Sequence, residues 1–298
     1  EQRSQTAHGI KYFESVPGTE DNDFPQTNAN LAIKEYKKMD ALCDRGNEAY
    51  RTLPTLFKTV QHLLTNVLMN SKKPFWMVFG FIRDRLRSVN QELTVQGMKI
   101  SGIPLYEKIA RFCILSDQLL CEEPRENYEP DMNMLERLNE ALVTLRQSYE
   151  ELKYEYKNIY AENEAEFRSY QILLLQDYQE VINNISSLSP ELVRSKQIQF
   201  VIRVKSALHT NNYRKFFKLV DEAEYLTACV MHLNFRDVRA KALRVINSSC
   251  RGFPIPDLVK ILKFEDDEEA IEFCAEYGLN IKKENGIHYL ESGNFVEP

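Results

Sequence analysis

The stretch Phe216–Leu243, FFKLVDEAEYLTACVMHLNFRDVRAKAL, decides the fold. Apolar residues recur in it at helical spacing: Phe216, Leu219, Val220 and Ala223, then Leu226, Val230 and Leu233. Small residues (Ala223, Ala228, Cys229) interrupt the large ones, as stacked helices require if their backbones are to approach closely. Upstream, EAEFRSYQILLL continues the same pattern from Glu164. Downstream the pattern changes to three short helical segments and two β-like runs. A helical stack closed by a small helix-plus-hairpin module points to a scaffold that docks partners, not to a pocket that does chemistry.

Working outward, the 298 residues suffice for one large or two smaller domains, and 10 Gly with 11 Pro argue against a turn-rich β protein. The longest apolar run, Pro74–Ile82, is too short to span a bilayer. The chain opens with neither an initiator Met nor a signal peptide, which suggests a fragment of a longer protein. Six cysteines lie scattered in apolar segments, with no CxxC pair and no metal-ligand spacing to the five His. Reduced core thiols in an intracellular protein are expected, with no disulfide framework, metal or cofactor. Charge is segregated: residues 126–180 carry 5 basic and 13 acidic side chains, residues 181–263 carry 14 and 6, and residues 264–298 carry 2 and 10. Blocks this uneven indicate surfaces that meet opposite charge.

The first 27 residues read as an extended arm, and residues 28–234 as a helical solenoid of TPR-like hairpins without strict period. Helices are predicted over Asn28–Arg45, Thr52–Met69, Pro74–Val95, Pro104–Glu122, Met132–Tyr156, Glu164–Leu175, Tyr178–Ser187, Ile198–Thr210, Tyr213–Ala223 and Tyr225–Asn234. Residues 235–298 read as a winged helix. Its first helix starts near Phe235; Leu258–Phe264 and Asp266–Tyr277 follow. Leu279–Lys283 and Ile287–Leu290, joined through Asn285-Gly286, form the hairpin or wing. The fold class is therefore all-α, a helical-repeat solenoid closed by a winged helix, with no parallel sheet and no strand before residue 275.

Nothing resembles a catalytic centre: GxSxG, HExxH, Walker and GxGxxG motifs are absent, and an enzyme is rejected. In FIRDRLRSVNQEL, Arg83 and Arg87 share a helix face while Arg85 points elsewhere; they are expected to form ion pairs that lock neighbouring helices. On the module's third helix, Ala270, Phe273, Cys274 and Tyr277 fall on one side and Glu268, Glu269, Glu272 and Glu276 on the other. Four carboxylates facing a major groove would repel phosphate, so duplex reading by this helix is not expected. Arg236, Arg239, Lys241 and Arg244 on the first helix, with Lys282 and Lys283 on the wing, are the candidate contacts for a nucleic-acid backbone. They equally suit a solvated basic face that balances the acidic one. Phe253, Ile255, Tyr289 and Phe295 are the candidate partner-binding residues, unless they close onto the chain's own solenoid.

Several of these motifs also carry a family likeness. EAEFRSY, the block FFKLV…A-x-YL-x-AC…H…F…R…AL, FIRDRLRSVNQELTVQ, YEKIARFCILSDQLLCEEP and the ending ESGNFVEP resemble the SAC/GANP family, in its germinal-centre-associated nuclear protein type. The resemblance covers nearly the whole chain from about Ile10. It implies a PCI fold, a solenoid ending in a winged helix, in a scaffold of a nuclear, pore-associated mRNA-export complex. It also implies pairing with a second PCI-domain subunit through the winged helices. A small acidic deleted-in-split-hand protein would bind that partner, and the composite surface would bind single-stranded RNA or DNA without sequence preference. The alternative is a purely structural PCI subunit of a proteasome-lid or translation-initiation type of assembly, with no nucleic-acid role.

Overall fold

Helical periodicity carries through to the structure, a computed structural model that describes residues 32–36, 50–124, 133–156, 161–284, 286–291 and 293–296. The expected arm over residues 1–27 lies outside these. Helix α1 (Leu53–Gln61) has Pro54 in its first turn, where a missing N–H leaves no bond unmade. It runs on through a π-helical stretch, His62–Val67, into a last turn, α2 (Leu68–Asn70). Leu56, Val60, Leu63 and Val67 keep one buried stripe through the change of winding.

Helices α3 (Phe75–Val95), α4 (Ile103–Leu120) and α5 (Asn133–Glu155) follow. Each packs on its neighbour in sequence. Glu107, near the start of α4, accepts the Tyr149 hydroxyl from the end of α5 at 2.9 Å, so that pair runs antiparallel. Asn163 donates to the same carboxylate at 2.7 Å, which leaves the buried Glu107 well bonded. Leu138, Ala141, Leu142, Leu145 and Tyr149 form the buried stripe of α5.

One expectation is corrected in this region. Only residues 32–36 of the helix expected over Asn28–Arg45 are described, and they are irregular. Three of their polar groups bond to α3. Tyr36 N–H donates to Asp84 at 3.3 Å, Glu35 lies 3.7 Å from Arg85, and Lys34 lies 2.6 Å from Glu92. Those partners span about two turns of helix, or roughly 12 Å, a reach that extended backbone meets more readily than the short rise of a helix. In FIRDRLRSVNQEL, Arg85, set apart from the face of Arg83 and Arg87, is itself wholly buried and ion-paired with Asp84. Arg87 lies 3.9 Å over the ring of Tyr36, a cation–π contact.

The chain divides after Glu164 into two compact units, Glu1–Glu164 and Ala165–Pro298. From there run α6 (Glu164–Leu174), α7 (Tyr178–Ser186), α8 (Pro190–Arg194), α9 (Lys196–His209), α10 (Tyr213–Glu222), α11 (Tyr225–His232) and α12 (Phe235–Ser249). Asp177, Ser189, Ser195 and Asn212 cap the N-termini of α7, α8, α9 and α10 through their side chains. The rings of Phe216, Phe217, His232 and Phe235 meet edge to face at 4.7–6.0 Å and lock α10 to α12.

The terminal module continues with β1 (Gly252–Pro254), α13 (Ile255–Leu262), α14 (Asp267–Glu276), β2 (Ile281–Glu284) and β3 (Ile287–Glu291). The three strands form an antiparallel sheet of order β1-β3-β2, which is the winged-helix arrangement. β1 corrects the expectation of no strand before residue 275. It is three residues long, too short to show alternation, and it forms because β3 offers it an open edge. No disulfide joins the five described cysteines, and no helix among the described residues is long and apolar enough to cross a membrane.

Two stability tests follow from these elements. Burial pulls the Glu92 carboxyl up, but hydrogen bonds from Arg51 and Lys34 outweigh it and hold the group below its ordinary value. Glu92→Gln should cost about 2 kcal/mol at neutral pH. Because the folded pKa is depressed, the wild-type advantage should be full above the ordinary carboxylate range and be lost as pH falls from there through the lowered folded pKa. Denaturant titrations at pH 7 and at low pH check this; an equal deficit at both contradicts it. Lys263 ends α13 with φ of 55°, the left-handed region that glycine occupies without strain. Lys263→Gly should therefore raise stability by about 1 kcal/mol despite losing the exposed Asp221 pair; a lower melting temperature contradicts it.

Candidate nucleic-acid and partner interface

The acidic run that opens the module's third helix has a local explanation. Asp266 caps α14 by accepting Glu269 N–H at 2.8 Å, while Glu269 reaches back to accept Glu265 N–H at 2.7 Å. Asp267, Glu268 and Glu269 fill the first turn, where the helix dipole favours negative charge. Behind them Ala270, Cys274 and Tyr277 are buried, and Phe273 is half-buried. Burial pushes the Cys274 thiol up to about 12, and Cys113 likewise, so neither supplies a thiolate near neutral pH.

The basic residues of α12 meet these carboxylates. Arg239 donates through Nε to Leu262 O at 3.1 Å, through Nη1 to Glu269 at 2.8 Å, and through Nη2 to Lys263 O. Its guanidinium also lies 4.0 Å over the ring of Phe264. Burial lowers its pKa, with the charge of Glu269 opposing that. This side chain caps the C-terminus of α13 and ties it to α14; it is not presented to a phosphate. Arg236 pairs with Glu276 at 2.9 Å and Lys241 with Asp237 at 2.8 Å, both exposed. Arg244 lies 5.0 Å over the ring of Phe295. The four cations of α12 are thus engaged within the module.

Sheet register separates the two wing lysines. Lys282 stands opposite Tyr289 and Lys283 opposite His288, so the two project to opposite faces. Lys282 shares its face and a 2.7 Å ion pair with Glu284, which raises its pKa. Lys283 is exposed and has no ion-pair partner among the described residues.

The same register divides the four partner-binding candidates. Ile255 is wholly buried in the module's own core with Leu258 and Leu262, so it drops out of any surface. Phe253 stands opposite the buried Leu290, on the inward face of the sheet. Tyr289 lies on the outward face between Pro254 and Lys282, with Ile287, 43% exposed, two residues away on the same side. Phe295 belongs to the tail, where its ring stacks on Tyr277 at 5.1 Å and Asn247 hydrogen-bonds both backbone groups of Gly293. What remains open is a sheet face carrying Pro254, Ile287 and Tyr289, an apolar strip that the sequence reading recognised only at Tyr289. Period-2 alternation along Ile287–Glu291 was the signal for Ile287.

The comparisons with known proteins agree with one another. The SAC3/GANP family model matches residues 1–283. SAC3 family protein B of Arabidopsis thaliana is 30% identical over 92% of this chain and 16% of its own length. SAC3 family protein 1 of Schizosaccharomyces pombe is 29% identical over 86% of this chain and 27% of its own length. Protein xmas of Drosophila melanogaster is 26% identical over 92% of this chain and 14% of its own length. The chain therefore spans 14–27% of the length of these relatives. One family model runs without a break through both compact units and into the wing, and the chain belongs to the SAC3/GANP family.

Proposed function

We propose that the chain is a non-catalytic scaffold subunit of a nuclear, pore-associated mRNA-export complex, pairing with a second PCI-domain subunit through its winged helix. Family membership supports the export role. In this reading residues 1–27 are an arm, residues 28–234 the solenoid, and residues 235–298 the pairing module. The small acidic deleted-in-split-hand protein joins through the PCI partner.

The observation that carries the pairing is the outward sheet face with its apolar strip of Pro254, Ile287 and Tyr289. An exposed apolar strip on an otherwise well-bonded module suits a protein partner, since burial of such area drives association. In the assembled pair, single-stranded RNA or DNA would cross Lys283 and the exposed Arg236, Lys241 and Arg244, with cations of the partner completing the surface, while Lys282 lies on the docking face beside Tyr289. Arg239 has no part in it.

A second reading has its own support. Arg236, Lys241 and Lys282 already hold carboxylates, which supports a module whose charges balance one another and a purely structural PCI subunit. One experiment separates the two. Co-expression with a second PCI-domain subunit should give a heterodimer by light scattering, and Ile287→Asp should abolish it while the free chain melts normally. The intact pair should shift labelled single-stranded RNA, lose affinity steeply between about 50 and 200 mM salt, and bind more weakly with Lys283→Glu. Pairing that survives Ile287→Asp refutes the sheet-face docking. Pairing without any RNA shift supports the structural reading instead.

A further inference from the structure

The apolar stripe of α9 contains one residue that does not belong in it. Ile198 and Val201 are followed at the next helical position by Lys205, only 6% exposed. Its ammonium donates to Leu173 O at 2.8 Å and Leu175 O at 2.6 Å, the last carbonyls around the end of α6. No carboxylate pairs with it among the described residues. Burial lowers its pKa to about 8, so it is charged at neutral pH at a cost. Carbonyl capping uses two of three ammonium donors. A lysine needed only as a cap could lie at the surface, as such residues ordinarily do.

Lys205 instead lines a cavity of about 310 Å³ within the second unit. Around the same cavity stand Tyr178, His209, Tyr213, Asp237 and Lys241. The rings of Tyr178 and His209 stack at 3.8 Å with only 8° between their planes, and both are exposed. Asp237, the one acid of the lining, is already bonded to Lys241. The cavity thus joins a buried, uncompensated positive charge and a second ammonium to a flat aromatic platform. An anionic group would supply the missing counter-charge at Lys205, and a planar ring would extend the stack. The volume lies at the small end for ligand sites and suits a single nucleotide.

We propose that this cavity binds a nucleotide, free or as one unit of a single strand, with its phosphate toward Lys205 and Lys241 and its base against the Tyr178–His209 stack. The site shares Lys241 of α12 with the interface proposed above but does not rest on partner pairing, because the free chain alone should show it.

Calorimetry with AMP, adenosine and inorganic phosphate, and fluorescence anisotropy with labelled oligouridylate, test the proposal on the purified chain. AMP should bind more tightly than adenosine or phosphate if the ligand is a free nucleotide. Oligouridylate should bind where AMP does not if it is a strand. In either case Tyr178→Leu and Lys241→Met should each weaken binding about tenfold. Lys283→Glu on the wing should leave it unchanged, which separates this site from the interface proposed above. Lys205→Met should abolish binding; because it also removes the cap on the end of α6, the two rim variants carry the test if it fails to fold. Three outcomes overturn the proposal: neither AMP nor oligouridylate binds, both rim variants bind as the wild type does, or phosphate alone binds as tightly as AMP.

Discussion

Arg239 is the interaction on which the winged helix depends. A planar guanidinium can satisfy three acceptors at fixed angles, and here it joins two carbonyls at the end of α13 to the carboxylate of Glu269 on α14. That sets the angle between two helices that would otherwise be linked only by the short turn around Lys263. Phe264 packs under the guanidinium plane and is buried by it. The left-handed backbone at Lys263 fits the same geometry, since it turns the Lys263 carbonyl toward α12. A residue that looked free for phosphate binding is the centre of the module's polar structure.

The consequence for function is a redistribution of surfaces. With Arg239 consumed, Arg236 held by Glu276 and Lys241 held by Asp237, the basic and acidic blocks of the chain end largely satisfy each other across the module. Exposed pairs of this kind contribute little stability, so their effect is mainly to cancel the long-range field. The outward face of the sheet is left as the part of the module with apolar area and few internal obligations. In the proposed function, association with a protein falls to that face and nucleic-acid contact to the cations outside it.

Much of the fold was legible because helical periodicity is long-range and redundant. The helix predicted over Pro74–Val95 is observed over Phe75–Val95, and the Tyr213, Tyr225 and Phe235 starts are observed at those residues. The Asn-Gly turn gave the hairpin. Ile255 misled because the flanking prolines mark a helix start without showing which side of it faces the core; Pro256 lies in the first turn of α13 and Ile255 is buried. The roles of Arg239 and Arg85 were not legible, since both depend on acceptors placed by tertiary packing. Lys205 did leave a trace, a cation three and four residues from Leu208 and Val201 in an apolar stripe, but its cavity is made by helices far apart in sequence. Residues 32–36 show the limit from the other side: Ile33 and Tyr36 keep helical spacing in the sequence, yet their stretch is irregular and bonds to α3.

The account turns on Arg239 being a geometric clamp and not a charge waiting for a ligand, and the substitution Arg239→Lys separates these. Lysine keeps the charge but cannot hold three acceptors in one plane. Thermal and denaturant unfolding of the purified chain should show a loss of about 2 kcal/mol, with earlier hydrogen exchange in α13 and α14 than in wild type. A variant as stable as wild type, with unchanged exchange in those helices, would contradict the account.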